Sequence, residues 1–163
     1  MRPKAIIMAG PPCAGKSHLL STLPPHIKIL NIDDTITQLA HSEGFSLNQQ
    51  DSTPEDRSKY GKAMKRATKQ LRDTLLPQTI QAKESFILDG CASSITQTMD
   101  LWYVLEENGY DVIMIYVNTD LDTILARNAN RERRLPQSVL ERAWHSATTN
   151  HKEYKQLIGD KVI

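Results

Sequence analysis

The run Gly10-Pro11-Pro12-Cys13-Ala14-Gly15-Lys16-Ser17 constrains this chain more than any other stretch. Its pattern, G-x-x-x-x-G-K-S, holds an anion in backbone N–H groups only if a strand precedes it and a helix follows. Both are present. Ala5 to Ala9 is an apolar run of strand length, and Ser17 to Leu23 suits a helix stopped by Pro24-Pro25. Glycines allow the tight curl. Lys16 can then reach the β- and γ-phosphates of a nucleotide, and the Ser17 hydroxyl can ligate Mg2+. The helix start adds its positive dipole end. Gly10, Pro11, Pro12, Cys13, Ala14, Gly15, Lys16 and Ser17 are therefore the candidate nucleotide-binding residues.

Downstream, apolar runs alternate with helical patterns. Ile27 to Ile32 reads as a second strand ending in Asp33-Asp34, and Ser85 to Gly90 as a third ending in Asp89. Asp111 to Val117 is a fourth, and Lys161-Val162-Ile163 looks like the start of another. Acids just past the carboxyl end of a strand sit where ligands bind in open α/β sheets. An acid in the position of Asp89 helps hold Mg2+ beside a phosphate loop. Helices are expected over 35–43, 55–82, 94–108, 120–130 and 136–157, with a polar, mobile loop over 44–54. In the long helix Ala63, Ala67, Leu71 and Leu75 recur every four residues. Lys62, Lys65, Arg66, Lys69 and Arg72 fall on its other faces. Such a basic face is either solvated or turned toward an anionic partner. The expected fold is α/β, a P-loop NTPase fold with a parallel five-stranded sheet in the order 2-3-1-4-5 and flanking helices.

A length of 163 residues suits one domain, 1–163. The net charge of +1 gives no global pull toward nucleic acid, so any basic surface must be local. No apolar run approaches membrane-spanning length. Two cysteines without metal spacing fit free thiols and a cytoplasmic setting. Arg127, Arg131, Arg133 and Arg134 crowd a helix end, forming an Arg-rich lid over about 127–136. Phosphoryl transfer spreads charge over the γ-phosphate oxygens, which arginines can neutralise. Arg127 and Arg131, four apart, share a helix face.

Leu125-Ala126-Arg127-Asn128-Ala129-Asn130-Arg131, then Pro136-Gln137-Ser138-Val139-Leu140, carry a resemblance. Asn31-Ile32-Asp33-Asp34 joins them, with Asp56, Lys59, Tyr60 and Lys62 in the long helix. Over nearly its whole length the chain resembles the kinase domain of phage-type polynucleotide 5′-hydroxyl kinases. The wider group includes zeta toxins and chloramphenicol phosphotransferases. The resemblance implies ATP and Mg2+ as cofactors and an acceptor hydroxyl, with Asp33 as general base. Alignment to zeta toxins moves that role to Asp34. It implies Arg127 and Arg131 at the transition state, Ser17 and Asp89 at the metal, and a DNA or RNA end as acceptor. The phage enzymes carry an arginine three residues after the base, where this chain has Ile36. Contact with the acceptor phosphate then falls to Lys59, Lys62 or Arg66, beside Asp33, or is absent.

Two other readings stay open. The acceptor could be a small molecule, such as a nucleoside, nucleotide or antibiotic, or a hydroxymethylated base in DNA. In a different class, the chain could be a nucleotide-binding regulatory ATPase. The acidic pair after the second strand argues against that class, as does the lack of an Asn-Lys-x-Asp stretch for guanine.

Overall fold

Strand β1 (Lys4–Ala9) lies between two parallel neighbours, and its composition follows from that position. Ala5, Ile7, Met8 and Ala9 are all buried, as a strand covered on both faces requires. The computed structural model describes residues 2–163. The other strands are β2 (Lys28–Leu30), β3 (Phe86–Leu88) and β4 (Asp111–Tyr116), in the order β2-β3-β1-β4, all parallel. Ala5 pairs with Phe86 on one side and Val112 on the other.

The expected fifth strand is not formed. The last residues reach the sheet edge through a 3-10 turn, Gly159–Lys161, so late that only Val162 makes a bridge, to Met114. Among the described residues the sheet has four strands, in the order expected for them.

Helix α1 (Lys16–Ser21) is shorter than its sequence pattern suggests, because the chain turns at Thr22 ahead of the two prolines. Next come α2 (Asp33–Glu43) and α3 (Pro54–Gln70). Thr53 caps α3 by accepting from Asp56 N at 3.1 Å, and Pro54 sits in the first turn, where its missing N–H costs nothing. The long helix expected over 55–82 is one run in three registers: α3, a π-helical turn at Leu71–Leu75, and α4 (Leu76–Gln81). Pro77 explains the interruption. It cannot donate, and its ring would strike the carbonyl four residues back, so the ladder widens by one residue there. Then follow α5 (Ile95–Glu107), α6 (Leu121–Ala129), capped by Asp120, and α7 (Gln137–Ile158), opened by Pro136.

One sheet face packs Trp102 and Leu105 of α5 and Tyr154 of α7 against Ala5, Ile7, Phe86 and Val112. The other packs Leu20 of α1 on Met8 and Ile87. A separate apolar cluster joins α2 to α3 through Ile36, Ala40, Tyr60, Ala63 and Ala67. It also takes in Phe45 and Leu47, so the segment before α3 is irregular but anchored by two buried side chains. Among the described residues no helix is long and apolar enough to cross a membrane.

Candidate functional site

The phosphate loop leaves β1 at Gly10, whose φ of +123° is open only to glycine. A Cβ there would lie 1.9 Å from Val117 O. Gly10 N donates to Cys91 O at 3.2 Å and Val117 N to Ala9 O at 2.9 Å, so the loop is fastened to the ends of β3 and β4. Cys13 (φ +63°) and Gly15 (φ +113°) turn the chain again before α1 begins at Lys16. Lys16 is only 8% exposed. Its Nζ donates to Gly10 O at 2.9 Å and Pro11 O at 2.7 Å, with Cys91 Sγ at 3.7 Å. The ammonium is thus held under the loop, with its charge shared among acceptors it can exchange for phosphate oxygens. Ser17 is exposed in the first turn of α1.

Two carboxylate-bearing strand ends face this loop. After β2, Asp33 and Asp34 occupy the first turn of α2, where the helix dipole favours acids. Asn31 Oδ1 accepts from Asp34 N at 3.2 Å and so caps that turn. After β3, Asp89 N donates to Leu30 O at 2.8 Å. Burial raises the pKa of Asp89 above the usual carboxylate value; Lys16 pulls it down, and Asp33 and Asp34 push it up. Those groups therefore lie within electrostatic reach of one another, as their strand positions predict. Among the described residues no group of three or more His, Cys, Asp or Glu could hold a metal ion. The Ser17 hydroxyl and a strand-end carboxylate are the candidate ligands for Mg2+ arriving with phosphate oxygens, the usual way this ion is bound.

The lid arginines close from the far side. Arg127 Nη1 donates to Cys13 O at 3.2 Å and Ala14 O at 3.0 Å, and Arg131 Nη1 reaches Cys13 Sγ at 3.1 Å. Buried Asn128 staples the lid. Its Nδ2 donates to Leu135 O and its Oδ1 accepts from Leu135 N, both at 2.9 Å. Gln49 N donates to Arg134 O at 2.8 Å, tying the lid to the segment between α2 and α3.

Arg133 belongs to the arginine cluster, and its partner lies far off along the chain. It forms an ion pair with Asp33, and its guanidinium lies 5.6 Å from the centre of the Tyr60 ring. Its side chain is 23% exposed. The basic residues of α3 stand apart from this cluster. Lys59 pairs with Glu55 at 2.8 Å, Arg66 pairs with Glu43, and Lys62 is exposed. Exposed pairs of this kind are worth about 0–1 kcal/mol, so a phosphate could replace either carboxylate. The structure thus places the loop, Asp33, Asp34 and Asp89 at the carboxyl ends of the strands, with Arg127 and Arg131 docked on the loop, while Lys59 and Arg66 engage Glu55 and Glu43 and Lys62 is exposed on α3.

Residues 6–153 match a family model described as AAA domain. No curated protein matches the chain. Several solved structures share its fold. A candidate kinase from Chloroflexus aurantiacus J-10-fl is 21% identical with a TM-score of 0.67, over 87% of this chain and 75% of that one. The AvrRxo1-ORF1:-ORF2 complex with ATP contains a chain with a TM-score of 0.73 at 16% identity, over 98% of this chain and 52% of that one. A chain of the Pnkp1/Rnl/Hen1 RNA repair complex has a TM-score of 0.65 at 16% identity, over 93% of this chain and 46% of that one. The present chain thus spans about half the length of the latter two.

Proposed function

The chain belongs to the AAA-domain family, as a kinase-like P-loop member, and on that premise we propose that it transfers the γ-phosphoryl group of ATP to an acceptor hydroxyl, most favourably on a nucleic-acid end. The observation that carries this reading is one shared edge. A phosphate loop, two sets of carboxylates from neighbouring strand ends, and lid arginines docked on the loop meet there. Binding a nucleotide without transferring its phosphoryl group requires no such proton acceptor beside the phosphate loop.

In this reading the loop amides and Lys16 hold the β- and γ-phosphates. Lys16 gives up Gly10 O and Pro11 O to do so. Asp33, or Asp34, orients the acceptor hydroxyl and takes its proton. The hydroxyl oxygen bonds to the γ-phosphorus as the bond to the β-phosphate oxygen breaks, giving the phosphorylated acceptor and ADP. Arg127 and Arg131 turn from the loop carbonyls and Cys13 Sγ to the transferring oxygens. Ser17 and Asp89 would hold Mg2+, which neutralises phosphate charge when bound.

The nucleic-acid acceptor is supported by the resemblance to polynucleotide 5′-hydroxyl kinases and by a fold shared with a chain of an RNA repair complex. One observation favours a small acceptor instead. Lys59 and Arg66 are already paired with Glu55 and Glu43, which lowers the net charge of the α3 face. Labelled ATP offered with 5′-hydroxyl DNA and RNA, nucleosides, nucleotides, hydroxymethylated DNA and water separates the readings. Label on the oligonucleotides supports the first, and label only on a small molecule the second. Label released only as inorganic phosphate would sink the kinase assignment.

A further inference from the structure

The sheet face that carries α5 holds a cavity that the transfer chemistry leaves unused. It lies between the ends of β1 and β3 and the first turns of α5, with a volume of about 190 Å³. Ile7, Leu88, Gly90, Ala92, Gln97 and Leu101 are among its walls, and nearly all of that surface is carbon. We infer that this cavity takes a flat heteroaromatic ring of the acceptor, a nucleobase, with the Gln97 amide reading the polar edge of the ring. This inference rests on the transfer reaction proposed above and specifies what the acceptor must carry beside its hydroxyl.

Size and chemistry agree with a ring. Folded interiors seldom keep a void much larger than a water molecule. An apolar cavity of about 150 Å³ is known to stay dry and to admit benzene, so carbon walls around a space of this size suit a ring better than water. Sites of this kind need few polar groups, provided those groups stand where the ligand's own polar atoms emerge. Gln97 stands there, exposed in the first turn of α5. Among the described residues its backbone N–H is engaged, by Ser94 Oγ at 3.4 Å, and its side-chain amide is not. A glutamine amide donates and accepts at once, the pairing it makes along the edge of adenine.

The cavity is also propped open. Ile7 and Leu88 are register partners on β1 and β3, which fixes its floor. The segment after β3 is fastened at three successive carbonyls. Cys91 O accepts from Gly10 N at 3.2 Å, Ala92 O from Tyr154 Oη at 2.8 Å, and Ser93 O from Asn150 Nδ2 at 2.9 Å. Between those bonds Ala92 sits at φ +47°, a value uncommon for a residue with a side chain. Small residues keep the space clear: a Cβ at Gly90 would meet nothing within 4 Å. Position links the cavity to the transfer site. Leu88 and Gly90 flank Asp89, which lies within electrostatic reach of Lys16, Asp33 and Asp34. A nucleoside with its base in the cavity therefore sets its sugar at the end of β3, between the cavity and the phosphate loop.

The test uses 5′-hydroxyl oligonucleotides of one sequence whose first residue is natural, abasic or 2-aminopurine, an adenine analogue whose emission changes when its ring leaves water. Acceptor KM is read with ATP, and binding with a non-hydrolysable ATP analogue. Removing the first base should raise the wild-type KM by about ten- to a hundredfold, the range for one stacked base. Leu101→Phe fills the cavity from α5. It should bring the natural acceptor to the abasic level, leave the abasic acceptor and the ATP KM unchanged, and abolish the 2-aminopurine signal. Gly90→Ala narrows the cavity by one methyl without a clash, so it should melt no lower than wild type and raise the natural-acceptor KM alone. Gln97→Leu should keep the penalty for base loss while levelling the KM values of the four natural first bases. 2-Aminopurine riboside, tested beside the oligonucleotide, separates a free nucleoside from a strand end as the source of the ring. Equal KM for natural and abasic acceptors in the wild type would overturn the inference. So would equal losses on both acceptors in Leu101→Phe and Gly90→Ala, the mark of a purely structural effect. Absence of transfer to any oligonucleotide, with a 2-aminopurine signal that Leu101→Phe abolishes, would sink the acceptor reading alone and support the ring site.

Discussion

Replacing Gly10 with alanine tests the whole geometry of the phosphate loop at one atom. The added Cβ would sit 1.9 Å from Val117 O and 3.0 Å from Val117 C, both backbone atoms of the segment leaving β4. A contact of ordinary length needs about 3.4 Å or more, so loop and strand must part by more than an ångström. Val117 N is hydrogen-bonded to Ala9 O, which resists that parting. The φ of +123°, well outside the left-handed helical region, adds a cost of roughly 1–3 kcal/mol for an L side chain. Overpacking against backbone adds about 1–3 kcal/mol. Gly44→Ala is the internal control: its φ is +65°, but nothing lies within 4 Å of the new Cβ, so it carries only the dihedral cost. The two variants should therefore differ by about 1–3 kcal/mol, or roughly 2–12 °C in melting temperature for a chain of this size. Thermal melts with and without ATP and Mg2+ read both effects. Gly10→Ala should also lose most of the ATP-induced rise, because displacing the first turn misaligns the loop amides. A Gly10→Ala protein that melts no lower than Gly44→Ala, with its ATP response intact, would refute the reasoning.

Asp33→Asn should abolish most transfer and leave ATP binding nearly unchanged, measured as kcat and nucleotide Kd; a larger loss in Asp34→Asn would move the base by one residue. Asp89→Asn should raise the melting temperature of the nucleotide-free protein at neutral pH. The folded state holds the Asp89 proton more tightly than the unfolded chain does, so its contribution is full below the unfolded value and lost as pH rises through the folded one. The gain in the variant should shrink as pH falls toward about 4; a gain that grows on acidification would reverse the sign. Alkylation of Cys13, whose Sγ accepts from Arg131, should inactivate transfer and be slowed by ATP. Equal labelling of Cys13 with and without saturating ATP would count against its place in the nucleotide site.

The phosphate loop and the four strands are legible because each is a local pattern: glycines at fixed spacing, and short apolar runs, two of them ending in acids. The segment 44–54 was read as a polar, mobile loop from its composition, which hid the two residues that matter, Phe45 and Leu47. Two apolar anchors are enough to pack a loop whose other residues are polar. Tyr60 and Arg133 could be seen singly, but no sequence pattern links residue 133 to residue 33, since that pairing depends on how the lid folds back. The fifth strand fails although an apolar pair fits a strand start, because the 3-10 turn before it uses up the residues a ladder would need.

Asn128 sets the tempo of the lid. Its amide bonds both backbone polar groups of Leu135, so the arginine-bearing turn is closed as a strand pair would close it. A lid ordered only by its nucleotide would lose about 1–2 kcal/mol of backbone entropy per residue on every closure. A turn that is already ordered loses little. Such a turn is expected to move as one body, with its arginines keeping their relative spacing. Nucleotide capture is then expected to need no folding of the loop. Cutting the staple with Asn128→Ala would therefore slow ATP association in stopped-flow before it weakened any contact made in the closed state.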